Sequence, residues 1–440
     1  MTTIGVPAWL PRLVIVGSYT VLLAIGANMA WLYLNGRQSD WAIFHQAAVS
    51  IGQGVHLYAL EGPTGYIYPP FFAYILQPLA MVERGVAGAL WVAVNTLAVG
   101  FTFHLLGSRL AGFVPQFTRT QAYALIVAGT FAVVGEQVSA VLRTGQTDAV
   151  ILLAIVVAFC WSRVGGVWSG VLISLAVAIK YHAILFIALF AVRRQGLAVL
   201  GMIAGVAVFF SLPILSTGWS LYGEYLSSAA GGLARMIGLS PQTDVVANIQ
   251  TLQWPRSVSL TSTVARWASS TTALLVGVTA LVLLVCIGLA AMYKQAGLKV
   301  FWRTREIDVQ AMLYLIVLAE VSVVVTAILI FGPQTTNRHM ILAAIPAAVC
   351  LTMAIILWRD LLGKACAVSL VLFVVANAFP PSEWVAMRTA WRSVGGASWA
   401  LLLVQMLAVA ATVRVYRQWW RERPEQPNET TIGVAAKPKA

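Results

Sequence analysis

The sequence predicts an all-α polytopic membrane protein with about 12 transmembrane helices. Three observations carry this. Of 440 residues, 60% are hydrophobic and only 10% charged, where a soluble chain carries about 25% charged residues. The mean hydropathy is +0.84. The apolar residues come in continuous runs close to the roughly 20 residues that one helical crossing needs. They lack the alternation of barrel strands. Helices follow, because only they and closed barrels satisfy every backbone polar group inside a bilayer.

In chain order the predicted spans are 13–34, 67–82, 86–106, 121–141, 147–163, 167–191, 197–216, 272–293, 309–331, 340–358, 365–380 and 397–416. The first is too long for a signal-peptide core and reads as a retained anchor. Glu136, Arg143 and Asp148 interrupt the fourth and fifth. An even count puts both termini on one side. With the N-terminus cytoplasmic, Arg84 and Arg143 join the many basic residues inside, while Arg109 and Arg119 fall among the fewer outside. That asymmetry fits the positive-inside rule and sets Asp40 outside. Two loops on that side are large, 35–66 and 217–271. Spans and loops make a single domain over 1–420, and the charged, Pro-containing tail 421–440 reads as disordered and cytoplasmic. The Asn428-Glu429-Thr430 sequon in such a tail is chance. The net charge of +13 sits in short loops beside spans, so it reads as orientation charge and not as a nucleic-acid surface. Cys160, Cys286, Cys350 and Cys366 lie in apolar runs without metal-ligand spacing and read as core residues.

One stretch after the first span is unlike the rest. It holds Asp40-Trp41, the small pair Ala47-Ala48, then Gly54-Val55-His56-Leu57-Tyr58 and Tyr66-Ile67-Tyr68-Pro69-Pro70. The ordered set resembles the first external loop of the GT-C glycosyltransferases, and of family 87 in particular. Large external loops after the first and seventh spans fit the same layout. The resemblance implies a glycosyltransferase that moves a sugar, mannose by default, from a polyprenyl phosphate to a lipid- or glycan-borne hydroxyl on the external face of the cell membrane. It implies inversion at the anomeric carbon and no cofactor, the lipid-linked sugar being a substrate. It makes Asp40 the catalytic base.

The residues themselves leave alternatives. Asp40 can take a proton from an acceptor hydroxyl, or it can cap the helix beginning at Trp41. Arg338 and His339 follow the turn Gly332-Pro333-Gln334-Thr335-Thr336-Asn337. They can compensate the departing donor phosphate, or Arg338 can anchor to headgroups. Lys180 lies inside the sixth run with Tyr181 and His182. It can reach the same phosphate or snorkel to the cytoplasmic surface. The family often has Lys-Pro here, and Tyr181 replaces that Pro. Gly145-Gln146-Thr147-Asp148 resembles the family's Gly-Gln-x-Asn, with Asp148 in place of Asn. The span count sets it near the cytoplasmic face, so it either belongs to re-entrant helices or supports packing. Tyr66, Tyr68, His45, His182, Gln146 and Glu320 are candidates to line the substrate cavity, with an interhelical hydrogen bond as the rival role for Glu320. Glu136 is a second carboxylate within a span.

No Gly-rich phosphate loop follows a strand, and no His/Asp cluster argues for a metal. The expected partners are a polyprenyl-phosphate sugar, a lipid or glycan acceptor and membrane lipids. The alternative function is a transporter or flippase of a lipid-linked saccharide, but the internal repeats of such carriers are absent from the sequence.

Overall fold

The apolar runs fold into helices of a computed structural model that describes residues 7–55, 57–58, 65–161, 164–236, 251–268, 270–296, 310–378 and 384–422. His56, the tail beyond Glu422 with its sequon, and 237–250 of the second large loop lie outside the described residues. In chain order come α1 (Trp9–Leu34), α2 (Trp41–Gly52), α3 (Pro70–Ile75), α4 (Gln77–Ala80), α5 (Arg84–Leu110) and α6 (Arg119–Thr144). Then come α7 (Asp148–Cys160), α8 (Val167–Ile179), α9 (Phe186–Val192), α10 (Gly196–Thr217), α11 (Ser220–Met236) and α12 (Leu260–Trp267). The last group is α13 (Thr271–Ala296), α14 (Gln310–Phe331), α15 (Ala344–Ile356), α16 (Leu361–Ala378), α17 (Val385–Ser393) and α18 (Gly396–Glu422). Among the described residues, nine helical stretches are long and apolar enough to cross a membrane: α1, α5, α6, α10, α13, α14, α15 with the 3-10 turn Asn337–Ala343 before it, α16 and α18. Three shorter apolar stretches accompany them: α7, α8, and the 3-10 turn Tyr181–Leu185 with α9. The protein is an all-α, multi-pass membrane protein, as the sequence predicts.

Two predicted spans fold otherwise. The run 67–82 is not one helix but α3 and α4, parted at Leu76. Pro78 has no N–H for the preceding turn, and its ring crowds a continuing helix. Both short helices pack on α2 and stay at its end of the bundle. The run 167–191 is broken at Lys180, whose backbone is extended (φ −140°, ψ 119°). α8 ascends to Lys180, and the chain returns through Tyr181–Leu185 and α9.

The close packing of α8 on α10 fixes these directions. A Cβ at Gly170 would lie 1.9 Å from the Ala198 carbonyl oxygen, and one at Gly201 would lie 2.1 Å from that of Val167. Gly205 likewise meets Ser174, so the two helices run parallel. Ser169 donates to the Ala158 carbonyl at 2.9 Å, joining the foot of α7 to the foot of α8.

The Asp40 end of the bundle is therefore composed differently from the sequence expectation. The Trp41 indole donates to the Arg84 carbonyl at 3.2 Å, and Tyr33 donates to the Arg143 carbonyl at 3.2 Å. Arg84 and Arg143 thus share the end that holds Asp40. Arg109 and Arg119, at the opposite ends of α5 and α6, lie at the far end. One crossing is lost at 67–82 and one return is gained after Lys180, so the expected direction holds again from Gly196 onward.

Residues 251–268 of the second large loop pack against the Asp40 end. Val258 N–H donates to the Thr335 carbonyl at 2.8 Å, Ser262 to that of Pro333 at 2.8 Å, and Thr261 to that of Phe331 at 3.0 Å. Ser398, at the start of α18, donates to the Val258 carbonyl at 2.7 Å.

Candidate active site

α2 is built to carry one residue at its mouth. Trp41, Phe44, Ala47, Ala48 and Ile51 are buried along one face, and the small pair lets α3 and α4 approach. Ser39 Oγ accepts from the Trp41 N–H at 3.2 Å. Asp40 makes no side-chain cap bond, so its carboxylate is free to turn elsewhere. Its Oδ2 accepts from Gln146 Nε2 and from Arg338 Nη1. Asp40 remains 34% exposed and Arg338 29% exposed, so the pair is open to a substrate.

Gln146 reaches Asp40 because of its turn. Gly145 closes α6 in the left-handed region, at φ 68°, where glycine is the favoured residue. A Cβ there would meet Tyr33 Oη at 2.8 Å and Trp41 Cβ at 2.9 Å. The Gly145 carbonyl accepts from the Trp91 indole at 2.8 Å. Gln146 Oε1 in turn accepts from Tyr68 Oη at 3.0 Å. Burial raises the Tyr68 phenol above its ordinary range, so it stays protonated and donates at neutral pH.

On the other side of Tyr68 lies a cation. Lys180 Nζ sits 5.5 Å from the centre of the Tyr68 ring, within cation–π range. Lys180 also donates to both oxygens of Asp148, at 2.9 and 3.0 Å. His339 Nδ1 accepts from the Thr336 N–H at 2.9 Å. A ring nitrogen that accepts is unprotonated, so a neutral His339 carries its proton on Nε2 and presents a donor. Asn337 donates to Glu136 and accepts from Gln137 Nε2 at 3.3 Å, pinning the Arg338 turn to α6. Arg338 Nε and His182 Nδ1 are buried without a hydrogen-bond partner, so the group has polar capacity in reserve for a ligand.

A model of glycosyltransferase family 87 matches residues 66–303. The chain belongs to glycosyltransferase family 87. The family match takes in Tyr68, Gln146, Asp148 and Lys180, while Asp40, Arg338 and His339 lie beyond its limits. Two polyprenol-phosphate-mannose-dependent alpha-(1-2)-phosphatidylinositol pentamannoside mannosyltransferases are similar to this family-87 chain. The one from Mycobacterium tuberculosis is 28% identical over 200 residues, 42% of this chain and 44% of that protein. The one from Mycolicibacterium smegmatis is 27% identical over 172 residues, 36% of this chain and 40% of that protein. The similarity thus spans less than half of each of these relatives. No solved structure matches.

The family-87 fold brings Asp40, Tyr68, Gln146, Arg338, Lys180, His339 and His182 together. It does not bring Glu320 there. Glu320 accepts from Arg193 and from Tyr293 inside the bundle, the interhelical role that the sequence left open. His45 turns to the Val82 carbonyl at 3.3 Å. Tyr66 is fully buried, donating to the Pro69 carbonyl at 3.0 Å and accepting from the Ala73 N–H at 2.9 Å, so it braces the start of α3. The Gly145–Asp148 turn stands at Asp40 and not near the far face. Asp148, read from sequence as part of a motif that belongs to re-entrant helices or supports packing, is the partner of Lys180. An in-span lysine that needs a counter-charge was the signal that could have found it. Among the described residues no group of three or more His, Cys, Asp or Glu could hold a metal ion.

Proposed function

We propose that this protein transfers a sugar, mannose by default, from a polyprenyl-phosphate donor to a hydroxyl on a lipid- or glycan-borne acceptor at the external face of the cell membrane, with inversion. The observation that carries the reading is the Asp40 carboxylate, unused as a helix cap and held by Gln146 and Arg338 beside Lys180 and His339.

The chemistry follows from those partners. Asp40 takes the proton of the acceptor hydroxyl as its oxygen attacks the anomeric carbon. The bond from that carbon to the phosphate oxygen breaks, and the polyprenyl phosphate leaves as a monoester. Its new charge falls to Arg338, with its planar fork, and to the Nε2–H of His339. Before the donor binds, Arg338 is neutralised by Asp40. A donor phosphate offers Arg338 a second partner, and its shift frees Oδ2 for the acceptor. Gln146 keeps the carboxylate aimed. Lys180, already balanced by Asp148, adds a donor without adding net charge. An apolar cavity of about 350 Å³, lined by Leu260, Val264, Trp267, Leu281, Leu284 and Trp399, suits the polyprenyl chain.

The mannosyltransferase activity by which the two relatives are named supports mannose and a phosphatidylinositol-linked acceptor. Among the described residues the corrected path exchanges Arg84 and Arg143 for Arg109 and Arg119, two for two, so the far end keeps its excess of basic residues. The positive-inside rule then favours an external Asp40. The decisive experiment incubates purified protein with several polyprenyl-phosphate sugars and membrane lipid extract. A new glycolipid formed from one donor supports the reading. Movement of a lipid-linked saccharide across vesicles without a new glycosidic bond overturns it in favour of a carrier.

A further inference from the structure

Arg266 fixes the geometry of a second basic cluster. Its guanidinium donates to the carbonyls of Ser393 at 2.7 Å and Arg392 at 3.2 Å, and to those of Trp254 at 3.0 Å and Ser257 at 3.3 Å. One half-buried fork thereby ties the segment holding Arg256 to the end of α17. Arg392 and Arg388 lie one turn apart on α17, with Trp384, Val385 and Met387 exposed beside them. Arg-bearing short helices with exposed Trp and apolar neighbours lie in the headgroup layer. Trp391 anchors α17 to the Ala376 carbonyl at 2.8 Å.

Arg256, Arg388 and Arg392 form no ion pair among the described residues. Burial, and next the charge of Arg388, push the Arg392 guanidinium below its ordinary range, with Arg256 adding to the effect and Glu136 opposing it. Arg392 thus stands near two further cations and one carboxylate, and Asn337 already donates to that carboxylate. Asn337 is also the residue before Arg338. The cluster therefore stands beside the Asp40–Arg338 pair but separate from it.

We propose that Arg256, Arg388 and Arg392 form a second anion site, which holds the headgroup phosphodiester of an anionic phospholipid acceptor. This rests on the transferase reading above. The donor phosphate must meet Arg338 at the reacting carbon, so a cation cluster set one residue's reach away serves a different phosphate. A phospholipid-borne acceptor carries one, a sugar's length from its reacting hydroxyl, in the layer where α17 lies.

The test is binding, not turnover. Purified protein in detergent is titrated by thermophoresis with dioctanoyl phosphatidylinositol, dioctanoyl phosphatidylcholine and inorganic phosphate. Wild type is expected to bind the phosphatidylinositol most tightly, with affinity falling as salt rises. Arg256→Ala/Arg388→Ala/Arg392→Ala should weaken that binding by about tenfold or more. The corresponding triple Lys variant should recover part of it, which separates lost charge from lost folding. No turnover enters this measurement, so failure of the catalytic reading leaves the result readable. Undiminished phosphatidylinositol binding by the triple Ala variant overturns the site. So does inorganic phosphate that competes as well as the lipid, or phosphatidylcholine that binds equally.

Discussion

Lys180 grips both carboxylate oxygens of Asp148, at 2.9 and 3.0 Å, from the one extended residue between α8 and the turn that leads into α9. The pair joins two elements that the sequence keeps 32 residues apart. From it a chain of contacts runs through the Tyr68 ring to Gln146 and on to Asp40. The helix break and the candidate base are thus held by one connected polar group, and each link can be tested.

Asp40→Asn should leave a folded protein that binds donor and transfers about 10²- to 10⁴-fold more slowly, the usual loss of a general base. Because Asp40 caps nothing, its thermal midpoint should hardly move. Initial rates and an unfolding curve on the same preparation decide the matter. Near-normal turnover in the folded variant would remove Asp40 from the mechanism.

Arg338→Ala should lower kcat/KM for the polyprenyl-phosphate donor by at least about tenfold, since charged hydrogen bonds contribute about 1.5–3 kcal/mol each. Arg338→Lys should recover only part, because the planar fork is lost. Donor kinetics unchanged in both variants would return Arg338 to headgroup anchoring.

For the Lys180–Asp148 pair, each half alone should be damaging. Asp148 is fully buried and Lys180 nearly so, and leaving one charge unpaired in such a site costs about 3–5 kcal/mol. Lys180→Met and Asp148→Asn should each lower stability on that scale in denaturant unfolding. The double variant Lys180→Met/Asp148→Leu should regain most of it while transfer stays low. Single variants as stable as wild type would contradict the pairing.

Gly145→Ala tests the turn. The left-handed backbone and the contacts with Tyr33 and Trp41 leave no room for a methyl group, so the turn must shift and carry Gln146 off Asp40. Stability should fall by about 1 kcal/mol or more, and the rate should fall with it. An alanine variant with wild-type rate would show that Gln146 does not aim the carboxylate.

Cysteine labelling distinguishes the two readings of the chain path. In a background lacking the native cysteines, Val82→Cys should react with an impermeant thiol reagent in intact cells, and Gly112→Cys should not. The run 67–82 read as a crossing demands the reverse. Labelling at position 112 but not at 82, with Gly36→Cys at the Asp40 end also labelled, would therefore refute the path described here.

Much of this was legible in the residues. Nine helical stretches among the described residues announced themselves by apolar length alone. Asp40, Gln146, Arg338, His339 and Lys180 were each singled out, and all meet. What hid the site was two local events. Pro78 breaks an apolar run that composition reads as a span. The other run breaks at Lys180, whose ammonium is held by Asp148, and no local pattern announces a partner so far away in sequence. The two errors cancel in the count, so the expected helix directions return from Gly196 onward, while the Gly145–Asp148 turn was assigned to the wrong end of the bundle. Tyr66, His45 and Glu320 were drawn in by residue type, yet their hydrogen bonds are with backbone or with other helices.

The shortness of α7 and α8 bears on Glu320. Thirteen residues each rise about 20 Å, a third less than a hydrocarbon core of about 30 Å. Arg193, just past α9, meets Glu320 at a level about 16 Å below the Phe331 end of α14 at 1.5 Å per residue. A guanidinium at that depth is costly without an opposite charge. Glu320 supplies it, so a carboxylate with no evident part in catalysis is what makes a shallow wall of helices tolerable within lipid.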